Sequence, residues 1–333
     1  MFFERVSHRK GSYMINVFEL ANGRLRQVMV NSKADLESTT PVWVDLTSPT
    51  DEEREWVRSV FGVTMPDEED VKEIEASARY YEEDSGAIQL RTDFHIEEDG
   101  RSHSATVGFI LANDILFSVH AEDLPVFRLV RLRARSRPGS VADCKDVLLD
   151  LYAADAEYSA DALEEIARQL EKVSQMVMKG NLSSEDGAVA LSAITLQEDS
   201  NERIRRNMMD TRRAVSFLMR GRMLDAGQFD EARQILRDID SLDGHASFLF
   251  DKINFLMDTT VGFMNINQSK IIAIFSVAAV FMLPPTLIAS IFCMNFELMP
   301  ELDWVIGYPL ALLLMLASAL GPFFYFRRRG WIS

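Results

Sequence analysis

The sequence is organised around a short stretch near its C-terminus, FCMNFELMPEL at residues 292–302. This stretch lies between the only two segments that are apolar enough to cross a bilayer. The first, residues 271–292, has 22 residues and no charge, and the second, residues 304–326, has 23 residues and no charge. At about 1.5 Å of rise per residue, each segment is long enough for a hydrocarbon core of about 30 Å. The stretch between them carries Glu297 and Glu301, so it must face water.

The charge of the chain is divided sharply between its two parts. The whole chain carries a formal net charge of −16. Residues 269–333 hold four basic and three acidic side chains, so the negative charge belongs to residues 1–268. An acidic surface argues against nucleic acid as a partner, because nucleic-acid binding needs a basic surface. It is compatible with attraction of cations, and solubility alone explains it equally well.

Cysteines and terminal charges indicate where the chain lies. Its two cysteines, Cys144 and Cys293, permit neither a disulfide framework nor a paired-cysteine metal knuckle. No signal peptide is expected, because the first residues contain no apolar run preceded by positive charge. The three arginines at 327–329 follow the second span, and the positive-inside rule keeps them in the cytoplasm. Both termini are then expected to be cytoplasmic, with the acidic stretch on the outer side.

Residues 1–140 are predicted to form a mixed α/β domain. Two strands within 14–30 flank the turn at Asn22-Gly23, which is a typical hairpin signal. A helix is expected to begin near Thr50, because acidic residues occupy its first turn. A further helix is predicted over 68–78. The remaining alternating or apolar runs predict strands at 42–46, 87–96, 105–112 and 115–120, with a hairpin turn at Ala112-Asn113-Asp114 between the last two.

Residues 141–246 are predicted to be helical. Apolar residues recur at spacings of three and four, and Gly180 and the segment 221–227 predict breaks. Asp243-Gly244 predicts a third break, so that a last helix begins near Ser247 and continues to Phe292. A helix this long cannot bury its apolar stripe alone, so we expect it to pack against copies of itself.

The stretch between the two spans resembles a known signature. Phe292-Cys293-Met294-Asn295 is similar to the Tyr-Gly-Met-Asn motif of the CorA family of divalent-cation channels. The resemblance extends to 299–302 and 307–309, and more loosely to 73–79 and 125–135. It implies an α/β cytoplasmic domain, long helices and two C-terminal transmembrane helices in a funnel-shaped homopentamer. The implied parts are a domain at 1–140, a helical region at 141–246, a pore helix at 247–292 that includes the span 271–292, a periplasmic loop at 293–303, the span 304–326 and a basic tail at 327–333.

The resemblance also implies which residues line a pore. Asn295 corresponds to the asparagine whose ring of amide oxygens accepts hydrogen bonds from a hydrated ion, although it could simply cap the first span. Thr286 lies nine residues earlier and is pore-lining in the family, so the helix must end before Asn295. Further positions along the pore are the polar Asp258 and Ser269 and the apolar Leu283, Ile272 and Phe275, which could gate by dewetting.

Cys293 is the departure from the family motif. Cysteine lacks the conformational freedom of glycine, and a ring of sulfur ligands near the mouth favours Zn²⁺ over Mg²⁺. An inert packed side chain explains it equally well. Glu297 and Glu301 are expected to concentrate cations at the mouth. Family members close when cytoplasmic sites fill with metal, and the candidates here are Asp84, Asp238 and Asp240, which could also be ordinary surface charges.

The function that follows is a divalent metal-cation channel or transporter of the bacterial inner membrane. It is expected to move Mg²⁺ or a transition metal such as Zn²⁺, Co²⁺ or Ni²⁺, with the ions as both substrate and possible regulator. The alternative is a non-conducting membrane scaffold or regulatory protein derived from the same fold. An enzyme is not expected, because the chain has no glycine-rich phosphate loop, nucleophile elbow or HExxH motif and its histidines are scattered.

Overall fold

The computed structural model of the chain describes residues 15–66, 79–98, 101–136, 139, 141–179, 183–221, 223–294 and 306–329. Its strands are β1 (Ile15–Ala21), β2 (Arg24–Val28), β3 (Pro41–Thr47), β4 (Tyr80–Glu82), β5 (Ile88–Glu98), β6 (Arg101–Ala112) and β7 (Ile115–His120). Its helices are α1 (Lys33–Glu37), α2 (Asp51–Phe61), α3 (Pro125–Ser136), α4 (Cys144–Met178), α5 (Ser184–Arg220), α6 (Ala226–Phe292) and α7 (Gly307–Arg328).

The seven strands form one mixed sheet in the order β2-β1-β3-β7-β6-β5-β4. All neighbours are antiparallel except β3 and β7, which run parallel with Trp43 opposite Leu116 and Thr47 opposite His120. This parallel pair joins two antiparallel groups of strands that lie far apart in the sequence. The predicted α/β domain is therefore confirmed as an α/β arrangement.

Two hairpin turns were correctly located by their turn residues. Asn22 and Gly23 have φ of 53° and 70°, and Asn113 and Asp114 have φ of 54° and 59°. Positive φ at both central residues gives the turn whose twist matches that of paired strands. The hairpins β1–β2 and β6–β7 follow from this local chemistry.

Each face of the sheet is covered by helices. Leu36 of α1 and Val57 of α2 join one core with Val44 and Phe117 of the strands. The other face carries an aromatic cluster in which Trp43 packs against Phe18 of β1 and Phe127 of α3, with ring centroids 4.7 and 5.8 Å apart. Burial of each such side chain contributes about 1.5–3 kcal/mol, so these two layers hold the sheet in place.

Helix α2 begins as expected. The Thr50 hydroxyl accepts a hydrogen bond from the Glu53 amide, and the Glu53 carboxylate accepts one from the Thr50 amide. This capping box satisfies two N–H groups that a helix start leaves without partners. The helix that we predict over 68–78 lies outside the described residues.

The long helices confirm two of the three predicted breaks. Helix α4 ends at Met178 and α5 begins at Ser184, while α5 ends at Arg220 and α6 begins at Ala226. The break at Asp243-Gly244 is wrong, because α6 continues through both residues and its start lies at Ala226 rather than Ser247. A single glycine costs a helix only about 1 kcal/mol relative to alanine. Burial of apolar side chains on both sides of Gly244 outweighs that cost: Ile235, Ile239, Leu249 and Ile253.

The chain divides into two compact units. The first comprises the residues up to 175 together with 192–256, and the second comprises 176–191 together with 257–333. In the first unit, the Asn201 amide donates to the Ala246 carbonyl at 3.1 Å, and Lys252 pairs with Glu171 at 3.4 Å. The second unit holds the two apolar segments that were identified as spans.

Candidate ion-conduction pathway

Both predicted spans are helical. In the part of the chain that the structure describes, two helices are long and apolar enough to cross a membrane, namely α6 and α7. Within the second unit they contact each other through aromatic rings, since Phe281 lies 6.1 Å from Phe323 and 6.5 Å from Phe326 between centroids. Most other apolar side chains of this part are exposed, which is the pattern expected of surfaces that face lipid or another subunit.

Four predicted pore residues share one face of α6. Asp258, Ser269, Ile272 and Leu283 are separated by 11, 3 and 11 residues. At about 100° per residue, they fall within an arc of about 60°. All four are exposed. The helix therefore presents a continuous stripe, which we call the pore stripe, of two polar positions followed by apolar ones.

The apolar members of this pathway are among the most exposed side chains of the helix. Ile272 is 57% exposed, Leu283 is 65% exposed and Phe275 is 72% exposed. Phe275 and Thr286 lie beside the pore stripe, each about 60° around the helix from Ile272 and Leu283 respectively. Their exposure in one chain leaves these side chains available to line a passage between several chains.

The C-terminal end of α6 lies before Asn295, as the resemblance implies. The Thr286 hydroxyl donates to the Met282 carbonyl at 2.7 Å, which uses its hydrogen and leaves its oxygen free to accept. The helix ends at Phe292. The Cys293 amide donates to the Ala289 carbonyl, and the Met294 amide donates to the Ile291 carbonyl at 3.1 Å. The bond from Met294 to Ile291 spans only three residues, so the chain tightens as the helix stops at Phe292.

Cys293 fits this ending without backbone strain. The described non-glycine residues with positive φ are Asn22, Ser48, Asn113 and Asp114, and Cys293 is not among them. The glycine of the family motif is thus not required by the backbone conformation seen here. The thiol is exposed. Asn295, Glu297 and Glu301 lie outside the described residues, and their roles stay predictions.

The three candidate regulatory carboxylates are separate in the single chain. Asp84 is exposed in the turn after β4. Asp238 accepts from the Gln234 amide at 2.7 Å, and Asp240 pairs with Arg212 at 2.9 Å. Among the residues that the structure describes, no three His, Cys, Asp or Glu side chains are grouped so as to hold a metal ion. A regulatory site between chains stays a prediction.

A buried polar network in the α/β domain escaped the sequence analysis. The Asp45 carboxylate contacts His120 Nε2 at 2.8 Å and accepts from the Ser118 hydroxyl at 2.7 Å, and the Trp43 indole donates to Ser118 at 2.9 Å. Asp45 and His120 are fully buried. The alternation of Trp43 with Asp45 and of Ser118 with His120 places them on one face of the sheet, and this alternation was the available signal.

The chain is similar to known proteins over most of its length. The chain matches the family described as CorA-like Mg²⁺ transporter protein over residues 38–328. It is 42% identical over 320 residues to the magnesium transport protein CorA of Pectobacterium atrosepticum and, likewise, to that of Escherichia coli. Each alignment covers 96% of this chain and 100% of the relative.

Solved structures share the fold at lower identity. The CorA magnesium transporter of Methanocaldococcus jannaschii has a TM-score of 0.76 at 18% identity, covering 96% of this chain and 98% of that one. The full-length CmaX protein has a TM-score of 0.69 at 15% identity, covering 97% of this chain and 99% of that one. The full-length identity to the curated relatives and the family match over most of the sequence lead to one conclusion: the chain belongs to the CorA family.

Proposed function

We propose that this protein transports divalent cations, Mg²⁺ in particular, across the bacterial inner membrane. The relatives that share 42% of its residues over their whole length carry the name magnesium transport protein. The observation that carries the proposal is the pore stripe, which runs exposed along α6 to Leu283, towards the end of the helix at Phe292. Because the family is one of membrane transporters, the chain is not an enzyme.

The conducting unit in this proposal is a homopentamer in which five α6 helices surround one pore. A single helix cannot enclose a passage, whereas a closed ring of identical subunits brings the same face of each helix to a common axis. The pore stripe then becomes a series of rings. Asp258 and Ser269 form polar rings near the cytoplasmic end, and Ile272 and Leu283 form apolar rings above them.

Selection takes place at the Asn295 ring. Mg²⁺ releases its water reluctantly, so an entry site of neutral amide oxygens can accept hydrogen bonds from the hydrated ion without trapping it. Glu297 and Glu301 raise the cation concentration at the mouth. The rings of Ile272 and Leu283 close the pore by excluding water when they narrow.

Cys293 adds a question of selectivity to this scheme. Thiolate ligands favour Zn²⁺ and similar ions, so a ring of five Cys293 side chains would shift the preference from Mg²⁺ towards Zn²⁺, Co²⁺ or Ni²⁺. Its exposure at the end of α6 supports a role at the mouth. The orientation in the proposal keeps both termini in the cytoplasm, with Arg327 and Arg328 at the cytoplasmic end of α7.

The test is ion flux into proteoliposomes, with Mg²⁺, Zn²⁺, Co²⁺ and Ni²⁺ measured side by side. We expect Mg²⁺ flux in the wild type and reduced or less selective flux in Asn295→Ala. Cys293→Gly should lower any Zn²⁺ flux relative to Mg²⁺ if the thiol takes part in selection. Asn31→Ala, which removes an exposed amide from the α/β domain, should leave flux unchanged.

Two outcomes would overturn parts of the proposal. Unchanged ion preference in Cys293→Gly would make the cysteine a packing residue. An intact oligomer that conducts none of the four ions would favour the non-conducting scaffold.

A further inference from the structure

Helix α5 carries arginines along one face, in a chain that is otherwise acidic. The residues Met209, Arg212, Arg213, Ser216, Met219 and Arg220 follow one another at spacings of three, one, three, three and one, so they lie on one side of the helix. This side faces an open groove of about 850 Å³ within the first unit.

The lining of the groove has an unusual composition. Among the described residues, the lining holds four arginines and no carboxylate, together with Tyr80, Ser216 and the apolar side chains of Met209, Met219 and Leu236. The arginines are Arg79, Arg212, Arg213 and Arg220. The whole chain has 51 acidic and 35 basic residues. The charged residues described in this lining are all arginines, which is a local reversal of the overall charge.

Contacts across the groove hold the arginines in place. The Tyr80 hydroxyl donates to the Asp210 carbonyl at 3.1 Å, and its ring lies 6.3 Å from that of Phe217. These contacts fix the start of β4 against α5. Arg79 pairs with Asp210 of α5. This pairing holds the Arg79 guanidinium beside α5, where Arg213 contacts the same carboxylate.

Much of the positive charge stays open to solvent. Arg213 is 64% exposed and reaches Asp210 only at 3.4 Å. The Arg220 Nε donates to the Ser216 carbonyl, which neutralises no charge. Arg212 pairs with Asp240 at 2.9 Å. Because guanidinium groups form paired hydrogen bonds to phosphate oxygens, a cluster of them with few carboxylates is suited to a multiply charged phosphate.

We propose that this groove binds a nucleoside diphosphate or triphosphate, a role beyond cation transport. The arginines would bind the phosphates, and the floor of Met209, Met219 and Leu236 with the Tyr80 ring would contact the base. The volume lies within the range of small-molecule sites, which are mostly apolar with a few polar groups that orient the ligand. A pairing surface for another subunit is the competing explanation, and the experiment separates the two.

The experiment is isothermal titration of the full-length protein in detergent with ATP, tripolyphosphate and adenosine. EDTA is present, because Mg²⁺ would neutralise the phosphate charge that the arginines recognise. We expect ATP to bind more tightly than tripolyphosphate and adenosine not to bind. Arg213→Ala/Arg220→Ala should weaken ATP binding by about tenfold or more, since each charged hydrogen bond lost costs that order of affinity.

The matched control is Arg58→Ala/Arg168→Ala, which removes two equally exposed arginines outside the groove. It should bind ATP as the wild type does. Equal weakening by both double variants would reduce the effect to net charge and overturn the site, as would equal affinity for tripolyphosphate and ATP. Absence of ATP binding would overturn the proposal, and an altered oligomer size in Arg213→Glu/Arg220→Glu would then assign the groove to a subunit contact. None of these readouts depends on transport.

Discussion

Asp45 and His120 form an ion pair inside the α/β domain, where both side chains are fully buried. His120 Nδ1 lies 2.6 Å from the Glu122 carbonyl and Nε2 lies 2.8 Å from the Asp45 carboxylate. Both ring nitrogens face acceptors, so both must carry a proton and the ring is an imidazolium. Burial alone lowers the pKa of His120, but the charge and hydrogen bond of Asp45 outweigh burial and raise it.

The raised pKa makes this pair a source of pH-dependent stability. The unfolded histidine titrates near pH 6.5, so the stabilisation is complete below that pH and is lost as pH rises through the higher folded pKa. His120→Gln removes the charge that faces Asp45 but leaves Asp45 its contacts with the Ser118 hydroxyl and Arg131, so it should destabilise the protein by about 1.5–3 kcal/mol at pH 6. The midpoint temperature of thermal unfolding, measured between pH 6 and pH 9, should fall as pH rises in the wild type and should change less in the variant.

His245→Gln on α6 serves as the control for this measurement. It should retain the pH dependence of the wild type. If His120→Gln and the wild type lose stability in parallel as pH rises, the imidazolium assignment is wrong.

At the scale of elements, α4 and α5 are joined by a buried carboxylate. Asp155 of α4 accepts hydrogen bonds from the Asn207 amide at 3.0 Å and the Thr211 hydroxyl at 2.8 Å, both from α5. All three are buried. Burial raises the pKa of Asp155 to about 7, against the two hydrogen bonds that lower it. The helix pair therefore holds a group that titrates near neutral pH.

This group is predicted to weaken the helix pair as pH rises. At a pH between 3.8, the pKa of Asp155 in the unfolded chain, and about 7, its pKa in the folded chain, Asp155 is ionised when unfolded and protonated when folded. The free energy of unfolding therefore falls as pH rises through this range. Asp155→Asn should remove that fall. The Asn207 oxygen has no hydrogen-bond partner among the described residues, so its amide can turn over to face the new amide. The midpoint temperature of thermal unfolding, measured from pH 5 to pH 8 in the wild type and in Asp155→Asn, tests this prediction.

Asp161→Asn, an exposed change on the same helix, should leave the pH profile unaltered. A profile of Asp155→Asn that matches the wild type would mean that Asp155 remains ionised in the folded protein throughout this range.

At the scale of the whole molecule, the proposed pore requires several chains. Many apolar side chains of α6 and α7 in the second unit are exposed, among them Phe275, Leu283 and Phe324. We predict that native mass spectrometry in detergent finds five copies of the 37.8 kDa chain. Leu283→Asp, which places five charges in one ring, should lower the share of pentamer, because like charges at close range repel.

Lys270→Asp changes charge near the start of the span but off the pore stripe, and it should preserve the pentamer better. A dominant mass of one, two or four chains in the wild type would contradict the proposed ring.

The features that were predicted correctly are those that a few consecutive residues specify. Turn residues at Asn22-Gly23 and at Asn113-Asp114 placed two hairpins, because positive φ is a property of those residues themselves. The uncharged lengths of the two spans placed the membrane helices, and the motif that ends at Asn295 placed the end of α6. Gly244 was misread, because a local helix penalty carries no information about the packing that overcomes it.

The sequence by itself determined the two spans, their family signature and the hairpins, because hydropathy and turn chemistry act over a few residues. Only the tertiary structure decided what distant residues form together. The parallel pairing of β3 with β7 brings Asp45 to His120 across 75 residues. The fold likewise places Arg79, which lines the groove of four arginines, beside Asp210, which lies 131 residues away in the sequence. Such contacts arise from the packing of whole elements, and no local pattern specifies the partner.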